Sequence, residues 1–181
     1  MEEEIKETTS DHIEQDIIQH LNNPVTNLKP IVKEYLTEVR EVKKEANKFY
    51  FSDGNAKVEV RVVSDEIIRV RLAPHGVFLD DFSYAVPTVD QKVTTFSLKE
   101  SEDSYAISTN TVTCKINKAD FLISFSDNLT GLEMSKDASA MHWEENVEFG
   151  GYYVYATKEC LPEENFFGLG DKSGNMNLRG R

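Results

Sequence analysis

The chain's single tryptophan lies in Met141-His142-Trp143-Glu144-Glu145. An indole face can stack on a sugar ring while adjacent carboxylates accept its hydroxyls. Trp143 is therefore a candidate sugar contact, with Glu144 and Glu145 as its polar partners. The competing reading is a loop whose tryptophan packs on the edge of a domain between solvated acids. That reading is favoured, because a buried tryptophan is ordinary core material. A second aromatic run, Tyr152, Tyr153 and Tyr155, looks like a binding stripe. Strand alternation places Tyr153 and Tyr155 on one face and Tyr152 on the other, which suits core or interface packing better.

Other chemistry-bearing residues are dispersed. His12, His20, His75 and His142 have no partner at metal-ligand spacing, and neither Cys114 nor Cys160 stands in a Cys-x-x-Cys pair, so no metal site is expected. No cofactor is expected either. There is no phosphate loop and no Gly-x-Ser-x-Gly elbow, and Gly168-Leu169-Gly170 lacks the third glycine of a dinucleotide fingerprint. Asn128-Leu129-Thr130 matches a glycosylation sequon but reads better as a turn. With 32 acidic residues, pairs of carboxylates spaced as in a glycosidase prove nothing.

The charge excludes some partners. A formal net charge of −12 has the wrong sign for displacing counterions from nucleic acid or for binding an anionic membrane surface. Seven acids against one lysine in residues 1–16 read as a solvated arm, the opposite of a signal peptide. No stretch approaches the ~18 apolar residues of a membrane span. A cytoplasmic protein is expected. Two cysteines do not make a disulfide framework in a chain of 181 residues.

The elements that must position these residues are mostly strands. Residues 10–22 read as one amphipathic helix, from Ile13, Ile17, Ile18 and Leu21, closed by Asn22-Asn23-Pro24. Residues 31–44 are ambiguous: Val32, Leu36, Val39 and Val42 have helical spacing, and a strand from about Thr37 is the alternative. Phe49-Tyr50-Phe51, then Ser52-Asp53-Gly54-Asn55, then Val58, Val60 and Val62 alternating with Glu59 and Arg61, predict a hairpin. Further strands are predicted over Ile67–Leu72, Val93–Leu98, Tyr105–Ser108, Val112–Asn117, Phe121–Ser126 and Tyr152–Thr157. Short strands separated by turn residues, with no helices between them, predict a mainly β chain folded as an antiparallel sandwich or barrel.

The most specific stretch is Glu164-Asn165-Phe166-Phe167-Gly168-Leu169-Gly170-Asp171-Lys172 followed by Asn177-Leu178-Arg179-Gly180. It resembles the segment that closes the N-terminal domain in glycoside hydrolase family 31, the α-glucosidase and α-xylosidase family. Ile67-Ile68-Arg69-Val70-Arg71 with Pro74, and Thr109 to Gly131 with Cys114-Lys115-Ile116 and Phe121-Leu122-Ile123-Ser124-Phe125, agree with that family in order and spacing. Asp171 stands where the family usually has Glu. The resemblance covers about residues 37–181, leaving 1–36 as an acidic arm with a short helix and linker.

The resemblance implies a galactose-mutarotase-like antiparallel β-sandwich and makes Val39 to Lys44 a strand. It implies that the parent is a retaining α-glycosidase acting on an α-linked glucoside or related sugar. It also implies that the catalytic (β/α)₈ barrel, which needs ~250 residues of its own, is missing because the chain stops after Arg181. No catalytic residue can be carried over, so the fragment alone is expected to be inactive. Phe166, Phe167, Leu169, Asp171 and Arg179 become candidates for the barrel interface, and the exposed surface there invites self-association. A stand-alone carbohydrate-binding module is the alternative. An aldose epimerase on the same fold would need His75 or His142 opposite a carboxylate, and fold alone does not confer that activity.

Overall fold

The computed structural model describes residues 31–82, 94–168, 170 and 175–180. The helix expected over 10–22 lies outside them. Residues 33–181 form one compact unit. All the regular elements described are strands, arranged in three antiparallel sheets.

One sheet has four strands in sequence order: β2 (Glu41–Glu45), β3 (Lys48–Ser52), β4 (Lys57–Val62) and β5 (Ile68–Ala73). β3 and β4 form the predicted hairpin in the register Phe49↔Val60, Phe51↔Val58. Its loop is stapled by Asp53, whose carboxylate accepts the N–H groups of Asn55 and Ala56 at 3.0 and 2.8 Å. Gly54 takes φ +100° there, a conformation that costs glycine least. The helical spacing over 31–44 is overturned. Those residues contain β1 (Lys33–Tyr35), which precedes the stretch covered by the family resemblance, and the start of β2, which overlaps the strand Val39 to Lys44 that the resemblance implies. Val42 sits opposite Phe51 on β3, so tertiary pairing overrides the local period.

The second sheet has five strands in the order β10 (Glu133–Lys136), β9 (Ile123–Asp127), β8 (Val112–Asn117), β7 (Ser104–Ser108) and β6 (Ser97–Glu100). β9 starts two residues later than the sequence predicts. Phe121 instead takes φ +59° in the turn after β8, which drops its ring into the core, fully buried. The third sheet runs β1, β11 (His142–Glu145), β12 (Tyr152–Tyr155).

The core lies between the sheets. Phe49, Phe51, Val58, Val60 and Val62 face it from the four-stranded sheet; Ile107, Cys114, Ile116 and Ile123 face it from the five-stranded sheet; Trp143 enters from β11. Phe51 meets Tyr105 across the sandwich at a ring separation of 5.4 Å. Burying a Phe or Val side chain contributes about 1.5–3 kcal/mol each, so this double layer is where the stability of the unit resides. The strand alternation read from sequence is the pattern that builds it.

Candidate functional site

Trp143 stands on a strand, not in a loop, and is 1% exposed. Its ring is enclosed by the core cluster and offers no face to a sugar. The register of β11 with β12 pairs Trp143 with Val154 and His142 with Tyr155. His142 therefore lies on the outer face of the small sheet. There its ring stacks between Tyr35 and Tyr155, with centroids 4.8 and 4.6 Å away. The Tyr155 hydroxyl donates to Glu144 at 2.6 Å, and this bond to a carboxylate pushes the phenol's pKa up. No local pattern in the sequence marks this ladder, because Tyr35 is about a hundred positions from its partners and only the sheet register joins them.

The aromatic run on β12 is half-exposed throughout: Tyr152, Tyr153, Val154 and Tyr155 all face solvent in part. Tyr152 leans edge-on to His75, 5.0 Å away. His75 and His142 thus lie against aromatic rings. Among the described residues no group of three or more His, Cys, Asp or Glu is placed to hold a metal ion.

The motif after β12 closes on itself. Asn177 accepts the Phe166 N–H at 3.2 Å and donates to Asn165 at 2.6 Å, and the Leu178 N–H donates to the Phe166 carbonyl at 2.8 Å. The guanidinium of Arg179 donates to the carbonyls of Leu161 and Glu164. Arg179 is therefore the clasp that ties 161–166 to 177–179, using the several donors of its planar fork. Phe166 and Phe167 stand outward, 43% and 62% exposed. Leu169 and Asp171 lie outside the described residues. The sequon asparagine, Asn128, is a turn residue. It donates to the Thr109 carbonyl at 3.0 Å and accepts from the Thr113 hydroxyl at 2.6 Å.

Two polar features had no sequence signal. Asp137, just after β10, is 1% exposed; it accepts the Ile123 N–H at 2.9 Å and the Lys158 ammonium at 2.5 Å. On the outer face of the four-stranded sheet, Asp81 meets Arg69 at 2.6 Å, with Arg61 at 3.6 Å and Arg71 at 3.8 Å. The hydrogen bond from Arg69 leads in holding the Asp81 carboxyl below its ordinary range. Both features read as structural: one closes a sheet edge where the chain runs on from β12, the other pins the segment after β5 across the sheet.

The profile of the glycosyl hydrolase 31 N-terminal galactose mutarotase-like domain matches residues 57–181, well over half of the chain. The chain belongs to this family. No curated protein matches the sequence. Among solved structures, the domain is similar to the Flavobacterium johnsoniae GH31 dextranase, at 26% identity and a TM-score of 0.67 over 81% of this chain. It is also similar to the GH31 alpha-xylosidase of Xanthomonas citri, at 29% identity and a TM-score of 0.66 over 77% of this chain. The cycloalternan-forming enzyme of Listeria monocytogenes shares the fold, with a TM-score of 0.66 over 83% of this chain at 14% identity. The domain spans 18% of the dextranase, 16% of the xylosidase and 14% of the Listeria enzyme. The galactose mutarotase-like sandwich is thus a small part of enzymes several times its length.

Proposed function

We propose that this chain is the non-catalytic N-terminal domain of a retaining α-glycosidase, that it packs on a catalytic barrel, and that it helps shape the pocket for an α-linked glucoside or related sugar. The observation that carries the reading is family membership combined with the surface after β11. Val147, Phe149, the four residues of β12, Leu161, Phe166 and Phe167 are all exposed. Monomers rarely leave so many large apolar side chains on one run of chain unless another surface covers them. Domain surfaces of this kind suit an interface within a longer polypeptide. When the barrel is absent, the outward rings of Phe166 and Phe167 are the surface through which the chain self-associates.

The test is enzymatic. The full-length enzyme carrying this domain is expected to hydrolyse an aryl α-glycoside with retention of configuration, and the 181-residue chain is expected to have no activity. Turnover by the chain alone refutes the reading. The alternative of a stand-alone carbohydrate-binding module needs ring faces open to solvent. Trp143 supplies none, and one face of Tyr155 is taken by His142. Calorimetry with malto-oligosaccharides separates the two, since millimolar or tighter binding by the isolated chain supports the module.

A further inference from the structure

β12 is an edge strand unlike the others. Among the described strands, the remaining sheet edges are β1, β2, β5, β6 and β10. Each carries Lys, Arg or Glu: Lys33 and Glu34, Lys43 and Lys44, Arg69 and Arg71, Lys99 and Glu100, Glu133 and Lys136. The edge of β10 is also partly covered, because Ala138 donates to Thr157 and Glu159 donates to Lys136. Charge and coverage are the usual devices that stop an edge from recruiting another strand. β12, Tyr-Tyr-Val-Tyr, carries no charge, no segment among the described residues pairs with its outer edge, and all four residues are strong strand formers.

The direction of its free groups follows from the ladder. Asn146 donates to Gly151 at 3.0 Å, so in this antiparallel pair the hydrogen-bonded positions continue at Glu144–Tyr153 and His142–Tyr155. Tyr152 and Val154 therefore turn their N–H and C=O groups away from β11, toward the open edge. Their side chains share the face of Trp143. Trp143 is 1% exposed, whereas Tyr152 and Val154 are 44% and 47% exposed. The core-facing side of the sheet is thus finished at β11 and left uncovered at β12.

We infer that this edge accepts one more strand: an extended segment with alternating apolar residues, supplied by the part of the same polypeptide that lies outside this domain. The inference rests on the reading that the chain belongs to a longer enzyme, and it specifies the mode of contact as strand addition and not only packing of faces. Relatives more than four times as long contain ample chain to supply the strand. A second copy is the weaker occupant. A four-residue edge offers few backbone hydrogen bonds, each of which contributes about 0.5–1.5 kcal/mol. Bimolecular association costs about 4–15 kcal/mol before any contact is made, and each copy also carries a net charge of −12. A tethered segment largely avoids that cost, because it meets the edge at millimolar effective concentration.

The test is site-resolved amide exchange, on the 181-residue chain and on the full-length enzyme, with the mass of the short chain followed by sedimentation. In the short chain, Tyr153 and Tyr155 are expected to be protected while Tyr152 and Val154 exchange freely. In the full-length enzyme, Tyr152 and Val154 are expected to slow by at least about 100-fold. Val154→Pro removes only an outward N–H. It should leave the melting temperature of the short chain within about 2 °C of the parent while lowering that of the full-length enzyme. Free exchange at Tyr152 and Val154 in the full-length enzyme overturns the inference. So does protection of these amides in the short chain accompanied by a dimer mass, which would assign the edge to a second copy. If the full-length enzyme shows the protection but hydrolyses no α-glycoside, strand addition stands and the functional reading fails.

Discussion

Replacing Asp137 with alanine tests whether one buried carboxylate closes the sandwich between β9, β10 and the residues after β12. Its oxygens hold the Ile123 N–H at 2.9 Å and the Lys158 ammonium at 2.5 Å, and its own N–H donates back to the Ile123 carbonyl. Asp137→Ala orphans a buried N–H, which costs about 1–3 kcal/mol, and removes one partner of an ion pair. Breaking a fully buried pair costs about 3–5 kcal/mol. Lys158 is still 42% exposed and regains water when its partner is lost, so the total should be near 3 kcal/mol. For a unit of this length that lowers the melting temperature by about 6–12 °C. Lys158→Ala leaves the carboxylate enclosed with a single donor and should cost about 2 kcal/mol. Asp137→Asn keeps an acceptor for Ile123 and should be the mildest change. Because the groups touch, the double Ala variant should cost about 1–2 kcal/mol less than the sum of the singles. The assay is urea unfolding of all four variants. Strict additivity, or an Asp137→Ala loss below about 1 kcal/mol, refutes the assignment of a structural ion pair.

Phe51→Ala should cost about 3–5 kcal/mol in denaturant unfolding, because the ring is fully enclosed and packs across to Tyr105. Burial pushes the Cys114 thiol far up, whereas Cys160 is exposed; a thiol reagent at pH 8 should therefore label one cysteine in the native chain and two after unfolding. The carboxyls of Asp81 and Asp127 are both held low, chiefly by hydrogen bonds from Arg69 and from the Thr130 backbone respectively. A depressed folded pKa stabilises above the unfolded value, near 3.9, and that contribution is lost as pH falls through the folded value. Stability should therefore decline below about pH 4, with a shallower decline in Asp81→Asn.

The sandwich was legible from sequence wherever the pattern was local. Val58, Val60 and Val62 alternate with Glu59 and Arg61 on one strand, and Val112, Cys114 and Ile116 do the same on another, so burial follows from the two-residue period alone. Residues 31–44 misled because Val32, Leu36, Val39 and Val42 satisfy a helical period, while the deciding partner of Val42 is Phe51 on the next strand. The Asp137–Lys158 pair and the Tyr35–His142–Tyr155 stack were illegible for a different reason. Each depends on a register between segments distant in sequence, and no residue type in either is unusual where it stands. Trp143 shows the limit from the other side. Its neighbours suggested a binding platform, and only the register of β1, β11 and β12 decides which face of the strand is covered.

The distribution of polar and apolar groups argues for a domain made to be covered on one side. Among the described residues the buried acids are drawn into structure: Asp53 in a turn, Asp137 at a sheet edge, and Glu59 beside Lys48 at 3.5 Å, with its other oxygen buried and unpartnered. A glycosidase pair needs two carboxylates facing one another across room for a sugar, and commitments of this kind remove acids from such a task. The outer face of the four-stranded sheet is likewise occupied by the segment that Asp81, Leu79 and Phe78 pin to Arg69 and Arg71. Exposed apolar side chains also occur singly elsewhere, as at Leu79 and Leu129, but after β11 they include a whole strand, Tyr152–Tyr155, and the two phenylalanines held outward by the Asn177 and Arg179 clasp. On the proposed reading, docking would take the exposed parts of Phe166 and Phe167 out of water, at about 25 cal/mol for each Å² of apolar surface covered. That asymmetry is why the strand-addition experiment and the activity assay address the same surface by independent readouts.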